Sequence, residues 1–161
     1  MPNAGDERRE PSAQRRKRRP VATSRPAKPS AQRETVSADA VRLVATKGTK
    51  GRGGGRDGEA WRIELDGQRA GQVFINLIDQ PPIGPHASIQ IYLNRASQGR
   101  GIGTIGYGLA CAASRYDVIY AHMQKSNTAS ARAAAAAGFV DETPAEERQK
   151  VMVWRRCAAA T

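Results

Sequence analysis

The most chemically suggestive feature of the sequence is a glycine-rich stretch at residues 98–104, Gln-Gly-Arg-Gly-Ile-Gly-Thr, between a strand-like and a helix-like segment. Glycine has no Cβ, so several backbone N–H groups of such a turn can point at one spot without steric hindrance. A helix that begins directly after the turn adds the positive end of its dipole. The stretch therefore predicts a site for a phosphate or pyrophosphate group.

The same glycines also fit the dinucleotide fingerprint Gly-x-Gly-x-x-Gly over residues 101–106. That fold needs an acidic residue about 20 positions further on to hold the ribose. Here the next strand ends in Ala-His-Met-Gln-Lys at residues 121–125. A βαβ array is also missing, because a hairpin precedes the glycines. The Gly-Lys-Ser/Thr sequence of a phosphate-binding loop is absent as well, so both nucleotide-binding interpretations are disfavoured.

The elements that position this turn are predicted from periodicity and turn residues. Asp66-Gly67 predicts the turn of a β-hairpin, and the glycines at 47–58 and the prolines at 79–86 predict loops, the first of them long and flexible. The predicted strands are 40–46, 60–65, 70–78, 88–93, 117–123 and 151–154, and the predicted helices are 104–116 and 128–137. This order predicts a mixed α/β domain with one central crossover.

The net charge of +11 on 161 residues comes largely from the first part of the chain. Residues 1–35 contain almost no large apolar side chains and include Gln-Arg-Arg-Lys-Arg-Arg at 14–19. Such a segment cannot bury enough apolar surface to offset its ordering entropy. We therefore expect a disordered basic tail at 1–35 and a domain at 36–161. The tail either only solubilises the protein or makes weak, non-specific contact with nucleic acid.

Compartment and metal binding are constrained by what the sequence lacks. No apolar core of a secretory signal follows the N-terminal charges, and no run approaches the roughly 20 apolar residues of a membrane span. Cys111 and Cys157 have no metal-ligand spacing and are too few for a disulfide framework. We expect a cytoplasmic protein with no membrane contact and no metal.

Two signatures in the sequence resemble those of the GNAT family of N-acetyltransferases. Residues 98–103 have the form Gln/Arg-x-x-Gly-x-Gly, which is similar to the family's acetyl-CoA loop. Asn127-x-x-Ser130-x-Arg132, followed by Gly-Phe at 138–139, is similar to its second signature. The resemblance covers residues 60–156. It implies a mostly antiparallel mixed sheet with flanking helices and a splayed fourth strand that pairs with the pantetheine arm.

The resemblance also implies an activity, namely direct transfer of an acetyl group from acetyl-CoA to a primary amine of unknown identity, on a small molecule or a peptide. It implies a role for Ser130 as the acid that protonates the departing thiolate. The residues implied in binding acetyl-CoA are Tyr92, Leu93, Gln98, Gly99, Arg100, Gly101, Ile102, Gly103, Thr104 and Asn127.

The sequence departs from the family pattern on the acceptor side. Many relatives have a tyrosine acid at the position of Ala134, and residues 47–59 are too short and glycine-rich for the family's two front helices. The acceptor side is therefore open, or completed by a second subunit in a homodimer. His122 and Glu64 are candidate general bases. Two alternatives stay open: a non-catalytic acyl-CoA-binding module, and a nucleic-acid-associated protein acting through its tail.

Overall fold

The computed structural model describes residues 33–158, and a seven-stranded sheet with two helices forms its framework. The strands are β1 (Val41–Thr46), β2 (Glu59–Leu65), β3 (Gln68–Gln80), β4 (Gly84–Leu93), β5 (Val118–Gln124), β6 (Val140–Asp141) and β7 (Gln149–Arg155), and the helices are α1 (Ile102–Ala113) and α2 (Thr128–Ala136). The strand order is β1-β2-β3-β4-β5-β7-β6. The predicted mixed α/β fold is confirmed.

Strands β4 and β5 are the parallel pair in an otherwise antiparallel sheet. They pair at only two positions, Ala87 with Ile119 and Ser88 with Tyr120, although β4 continues to Leu93. The second half of β4 therefore separates from β5, and no strand of the described residues pairs with its backbone on that side. This is the predicted splay of the fourth strand.

Both helices pack on one face of the sheet. Val73 and Ile75 on β3 belong to the core cluster, whereas Phe74 between them does not, because successive side chains of a strand point to opposite faces. Helix α1 approaches the strands closely at Gly106, where an added Cβ would lie 2.9 Å from Ile91 Cδ1. We call the face that carries Phe74, opposite the helices, the outer face.

Two local predictions are wrong. The predicted loop 79–86 is mostly strand, because β3 extends to Gln80 and β4 already begins at Gly84. Pro81, Pro82 and Ile83 form the turn, while Pro85 pairs with Asp79 within the sheet. The short strand β6 was not predicted at all, since two residues carry no periodicity. Of the disordered tail predicted at residues 1–35, residues 1–32 lie outside the described residues, whereas residues 33–35 belong to the described part.

Residues 47–58, predicted to be a flexible loop, fold into a compact turn against the outer face. Thr49 forms bridges with Arg52 and Gly53. Asn76 on β3 holds the turn from below, because its Oδ1 accepts from the Gly53 N–H and its Nδ2 donates to the Gly51 carbonyl, both at 2.8 Å. This is the segment predicted to be too short for the family's two front helices. The turn that it forms nevertheless covers part of the outer face.

Candidate functional site

A cavity of about 680 Å³ opens where the end of β4, the start of α1 and the start of α2 meet. It brings together all the predicted site residues except Arg100 and Ile102, namely Tyr92, Leu93, Gln98, Gly99, Gly101, Gly103, Thr104, Asn127 and Ser130. We call it the donor cavity. Two segments that are far apart in the sequence thus contribute to one site.

The glycine turn has the geometry that an anion site requires. Gly99 and Gly101 have φ values of +70° and +80°, in the left-handed region that favours glycine. Gly101 is the N-cap of α1, so the unpaired N–H groups of the first helical turn follow it directly. A Cβ added at Gly103 would lie 3.5 Å from Ala133 Cβ, and a longer side chain there would enter the donor cavity. A pyrophosphate group fits this arrangement of backbone donors.

Three of the predicted residues contribute differently from the others. Ile102 is completely buried in the core, so only its backbone can reach a ligand. The Arg100 side chain donates to the Glu34 carbonyl at 3.3 Å and does not line the donor cavity. The Gln98 amide donates to the Leu93 carbonyl at 3.2 Å, which ties the glycine turn to the end of β4.

Asn127 and Ser130 lie at the start of α2, on the opposite wall of the donor cavity. Asn127 caps this helix, because its Oδ1 accepts from the Ser130 N–H at 3.1 Å. Its Nδ2 donates to no group among residues 33–158. Tyr107 and Arg132 also line the cavity. Neither was predicted as a site residue, although the position of Arg132 within the second signature could have indicated a role.

A family model described as the acetyltransferase (GNAT) family matches residues 30–139, which is more than half of the chain. The chain belongs to this family. The glycine turn, the splayed β4 and the α2 start all lie within the matched range. No curated protein sequence matches the chain.

Several solved GNAT structures share the fold at low sequence identity. The GNAT domain of S. lividans PAT is 16% identical with a TM-score of 0.53, and the match covers 62% of this chain and 61% of that one. AAC(6')-Ib in complex with paromomycin and acetyl-CoA is 18% identical with a TM-score of 0.53, covering 62% and 66%. The yncA protein of Salmonella typhimurium with its cofactor acetyl-CoA is 20% identical with a TM-score of 0.50, covering 64% and 68%. The chain thus spans less than two thirds of the length of the first two.

Residues 33–36 pack against the glycine turn of this GNAT domain. The Val36 N–H donates to the Arg100 carbonyl at 3.0 Å, and the Arg33 guanidinium donates to the carbonyls of Gln98 (3.1 Å) and Arg95. These contacts use the carbonyl groups of the turn and leave its N–H groups for a ligand. The segment therefore braces the anion site.

We predict that this brace contributes to acetyl-CoA affinity. Removal of residues 1–32 should leave the affinity unchanged, whereas removal of residues 1–35 should weaken it by about 3- to 10-fold, because each lost hydrogen bond contributes about 0.5–1.5 kcal/mol. Calorimetric titration of both truncated chains with acetyl-CoA measures the difference. Equal affinities of the two truncated chains would contradict a bracing role.

A histidine pair on the outer face includes the candidate base His122. His86 Nδ1 lies 2.7 Å from the Gly84 carbonyl and donates to it, and with both rings neutral the His86 Nε2 accepts from His122 Nε2–H at 2.8 Å. This tautomer leaves His122 Nδ1 unprotonated, and that atom is buried without a hydrogen-bond partner among the described residues. Burial, together with the neighbouring His86, lowers the pKa of His122, and Glu147 partly opposes this. His122 is therefore neutral at pH 7.

The lowered pKa of His122 predicts a pH-dependent stability. The unfolded histidine binds a proton below about pH 6.5, while the folded one resists protonation, so stability is complete above that pH and declines as the pH falls below it. We expect the melting temperature to drop between pH 7.5 and 5.5, and His122→Gln to reduce that drop. An equally steep drop in the variant would show that other groups cause it.

Glu64, the other candidate base, forms ion pairs with two arginines. Its Oε1 lies 2.7 Å from Arg62 Nη2, and its Oε2 lies 2.9 Å from Arg42 Nη2. Hydrogen bonds from Arg62 and then Arg42 lower the pKa of Glu64, which makes it a weak base. Within residues 33–158, no group of three or more His, Cys, Asp or Glu side chains is placed to hold a metal, and no helix is long and apolar enough to cross a membrane.

Proposed function

We propose that the chain is an acetyl-CoA-dependent N-acetyltransferase that transfers the acetyl group to a primary amine by direct attack. One observation carries the proposal: the splay of β4 from β5 opens directly beside the glycine turn, so one continuous cavity offers both an anion site and free strand backbone. A pyrophosphate joined to an extended amide-containing arm matches those two features. Coenzyme A has that chemistry.

Each predicted donor residue has a role in this proposal. The N–H groups of Gly99–Thr104 bind the pyrophosphate, and Gln98 fixes the turn. The backbone of Tyr92 and Leu93 pairs with the pantetheine arm, as a neighbouring strand would. The free Nδ2 of Asn127 donates to an amide carbonyl of that arm. Arg132 adds a positive charge on the far wall, and the Arg100 side chain, now turned to Glu34, reaches the phosphates only after a change of rotamer.

The reaction forms a C–N bond and breaks a C–S bond. The neutral amine attacks the thioester carbonyl carbon, the sulfur leaves as a thiolate, and the amine loses a proton to a base or a water chain. Alignment of the two reactants supplies most of the acceleration in such a transfer. Ser130 donates to the departing sulfur, and no covalent intermediate with the protein is required. His122 remains one candidate for this base, since its neutral form can accept a proton.

Acetyl transfer to a panel of primary amines, followed by release of the free thiol, tests the proposal. Calorimetric titration with acetyl-CoA is run beside it, because binding and turnover are separate claims. Thiol release that depends on the added amine supports a transferase. If acetyl-CoA does not bind, the whole proposal is wrong.

A second candidate, a non-catalytic acyl-CoA-binding module, is favoured by one observation. Ala134 occupies the position of the tyrosine acid of many relatives and is completely buried, so no side chain there can protonate the thiolate. The module binds acetyl-CoA as the enzyme does but releases no thiol with any amine. The same pair of measurements therefore distinguishes the two candidates.

A further inference from the structure

Two smaller cavities extend from the donor cavity across the outer face. One of about 330 Å³ shares Tyr92 and Leu93 with the donor cavity. It shares Arg69 and Gln72 with another of about 280 Å³, which lies between the glycine-rich turn and strands β2 and β3. We call the latter the basic cavity. This row of adjoining cavities, which we call the path, runs from the splayed strand to the basic cavity.

The basic cavity is lined by four cationic side chains and no carboxylate: Lys47, Arg52, Arg62 and Arg69. Arg62 is paired with Glu64. For the other three cations, no carboxylate of residues 33–158 lies within 4.0 Å. Like charges gathered without counter-charges repel one another, so an anionic group bound there would relieve that repulsion as well as gain its own hydrogen bonds.

The wall of the basic cavity is fixed in place. A Cβ at Gly53 would lie 2.1 Å from the Glu59 carbonyl oxygen, and one at Gly48 would lie 2.6 Å from the Arg52 carbonyl oxygen, so only glycine allows this tight turn. Asn76 holds Gly51 and Gly53, the two neighbours of Arg52, from below. The backbone of Arg52 is therefore positioned before any ligand binds, which reduces the entropic cost of binding.

Aromatic side chains on the outer face lie between the glycine-rich turn and the donor cavity. Phe74 is 2% exposed and stacks on Tyr92, with ring centroids 5.9 Å apart. The Arg52 guanidinium carbon lies 5.8 Å from the centroid of the Tyr92 ring. A cation of the basic cavity thus stands within one side-chain length of the residue whose backbone is proposed to align the pantetheine arm. A molecule with an amine at one end and an anion at the other can span this distance.

We propose that the acceptor is an amine that also carries an anionic group, a carboxylate or a phosphate, and that the basic cavity binds this group. The inference rests on the proposed acetyltransferase function and adds the class of acceptor. Arg52 and Arg69 are the residues that determine specificity. The glycine-rich turn replaces the missing front helices as the wall of the acceptor site.

Matched acceptors test the inference with the full chain and acetyl-CoA. Each set has a primary amine on two to five methylene groups and ends in a carboxylate, a phosphate, a neutral carboxamide or a second amine. We expect kcat/KM for the better anionic set to exceed that of the carboxamides by about 10-fold or more, because hydrogen bonds between charged groups are roughly twice as strong as those between neutral groups. The carboxylate and phosphate sets identify which anion is preferred.

Arg52→Gln and Arg69→Gln should each remove most of this preference through KM, and added salt should weaken it. Arg148→Gln is the matched control, because Arg148 is exposed and lines none of the three cavities. Calorimetric titration of the coenzyme A-saturated chain with the same amines gives the preference without turnover. The basic tail contributes equally to wild type and variants, so the difference between them isolates the cavity.

The possible results separate the two claims. If kcat/KM for the carboxamides or diamines equals or exceeds that for the anionic amines, the inference of an anionic acceptor is wrong, while the proposed acetyltransferase function is retained. Absence of acetyl-CoA binding would overturn the proposed function itself. If acetyl-CoA binds but none of these amines is acetylated, the calorimetric preference decides: tighter binding of the anionic amines supports the cavity, and equal binding overturns it.

Discussion

Replacement of Gly103 by glutamate is expected to weaken acetyl-CoA binding by at least about 100-fold, which corresponds to about 2.7 kcal/mol. Gly103 lies in the first turn of α1 and lines the donor cavity. A glutamate side chain there would occupy the space of the pyrophosphate and repel its charge, and juxtaposed like charges cost several kcal/mol. Calorimetric titration with acetyl-CoA measures the loss.

The fold should tolerate this substitution. Gly103 has no positive φ, the nearest atom to an added Cβ is 3.5 Å away, and a carboxylate near a helix N-terminus is favourable. Gly108→Glu is the matched control, since Gly108 belongs to the same helix, has nothing within 4 Å of its Cβ position and does not line the cavity. Unchanged affinity of a folded Gly103→Glu chain would show that no phosphate lies over this turn.

The donor side of the site could be predicted from the sequence because its determinants are local. The left-handed conformation of Gly99 and Gly101 and the N-cap role of Asn127 depend on residues within a few positions in the chain. The splay between β4 and β5 depends on a long-range pairing, and no local pattern indicates where two strands separate. That feature was predicted only through the resemblance to a family.

The proposed acceptor side could not be predicted, because its structure depends on contacts between residues that are distant in the sequence. Periodicity and composition indicate a loop at 47–58, and the glycines there suggest flexibility. Its order comes from Asn76, more than 20 residues away, and from close packing of Gly53 against the Glu59 backbone. The pairing of His86 with His122 and the contact of Arg33 with the glycine turn also join distant segments. Such contacts exist only after the sheet has formed.

Replacement of Ser130 by alanine is expected to lower kcat by roughly 10- to 1,000-fold, a range around the usual contribution of a positioned acid. In the proposed mechanism the hydroxyl interacts with the sulfur only as it becomes a thiolate, so KM for acetyl-CoA should change little. Alanine is a good helix former, and the Asn127 cap bonds to the backbone N–H of residue 130, so the start of α2 is preserved. Steady-state kinetics with the best acceptor of the panel measure both parameters.

Substitution of Tyr107 tests whether this residue positions the Ser130 hydroxyl. Burial raises the pKa of Tyr107 to about 12, and the neighbouring Ser130 side chain partly opposes that rise. Tyr107 lines the same cavity as Ser130, and we expect it to act as a positioning residue for the serine hydroxyl. Tyr107→Phe should therefore lower kcat in the presence of Ser130 and have little further effect in the Ser130→Ala chain, a non-additivity typical of residues in contact. Additive losses of kcat in the double variant would show that the two hydroxyls act independently. An unaltered kcat in Ser130→Ala, with chemistry rate-limiting, would exclude Ser130 from the mechanism.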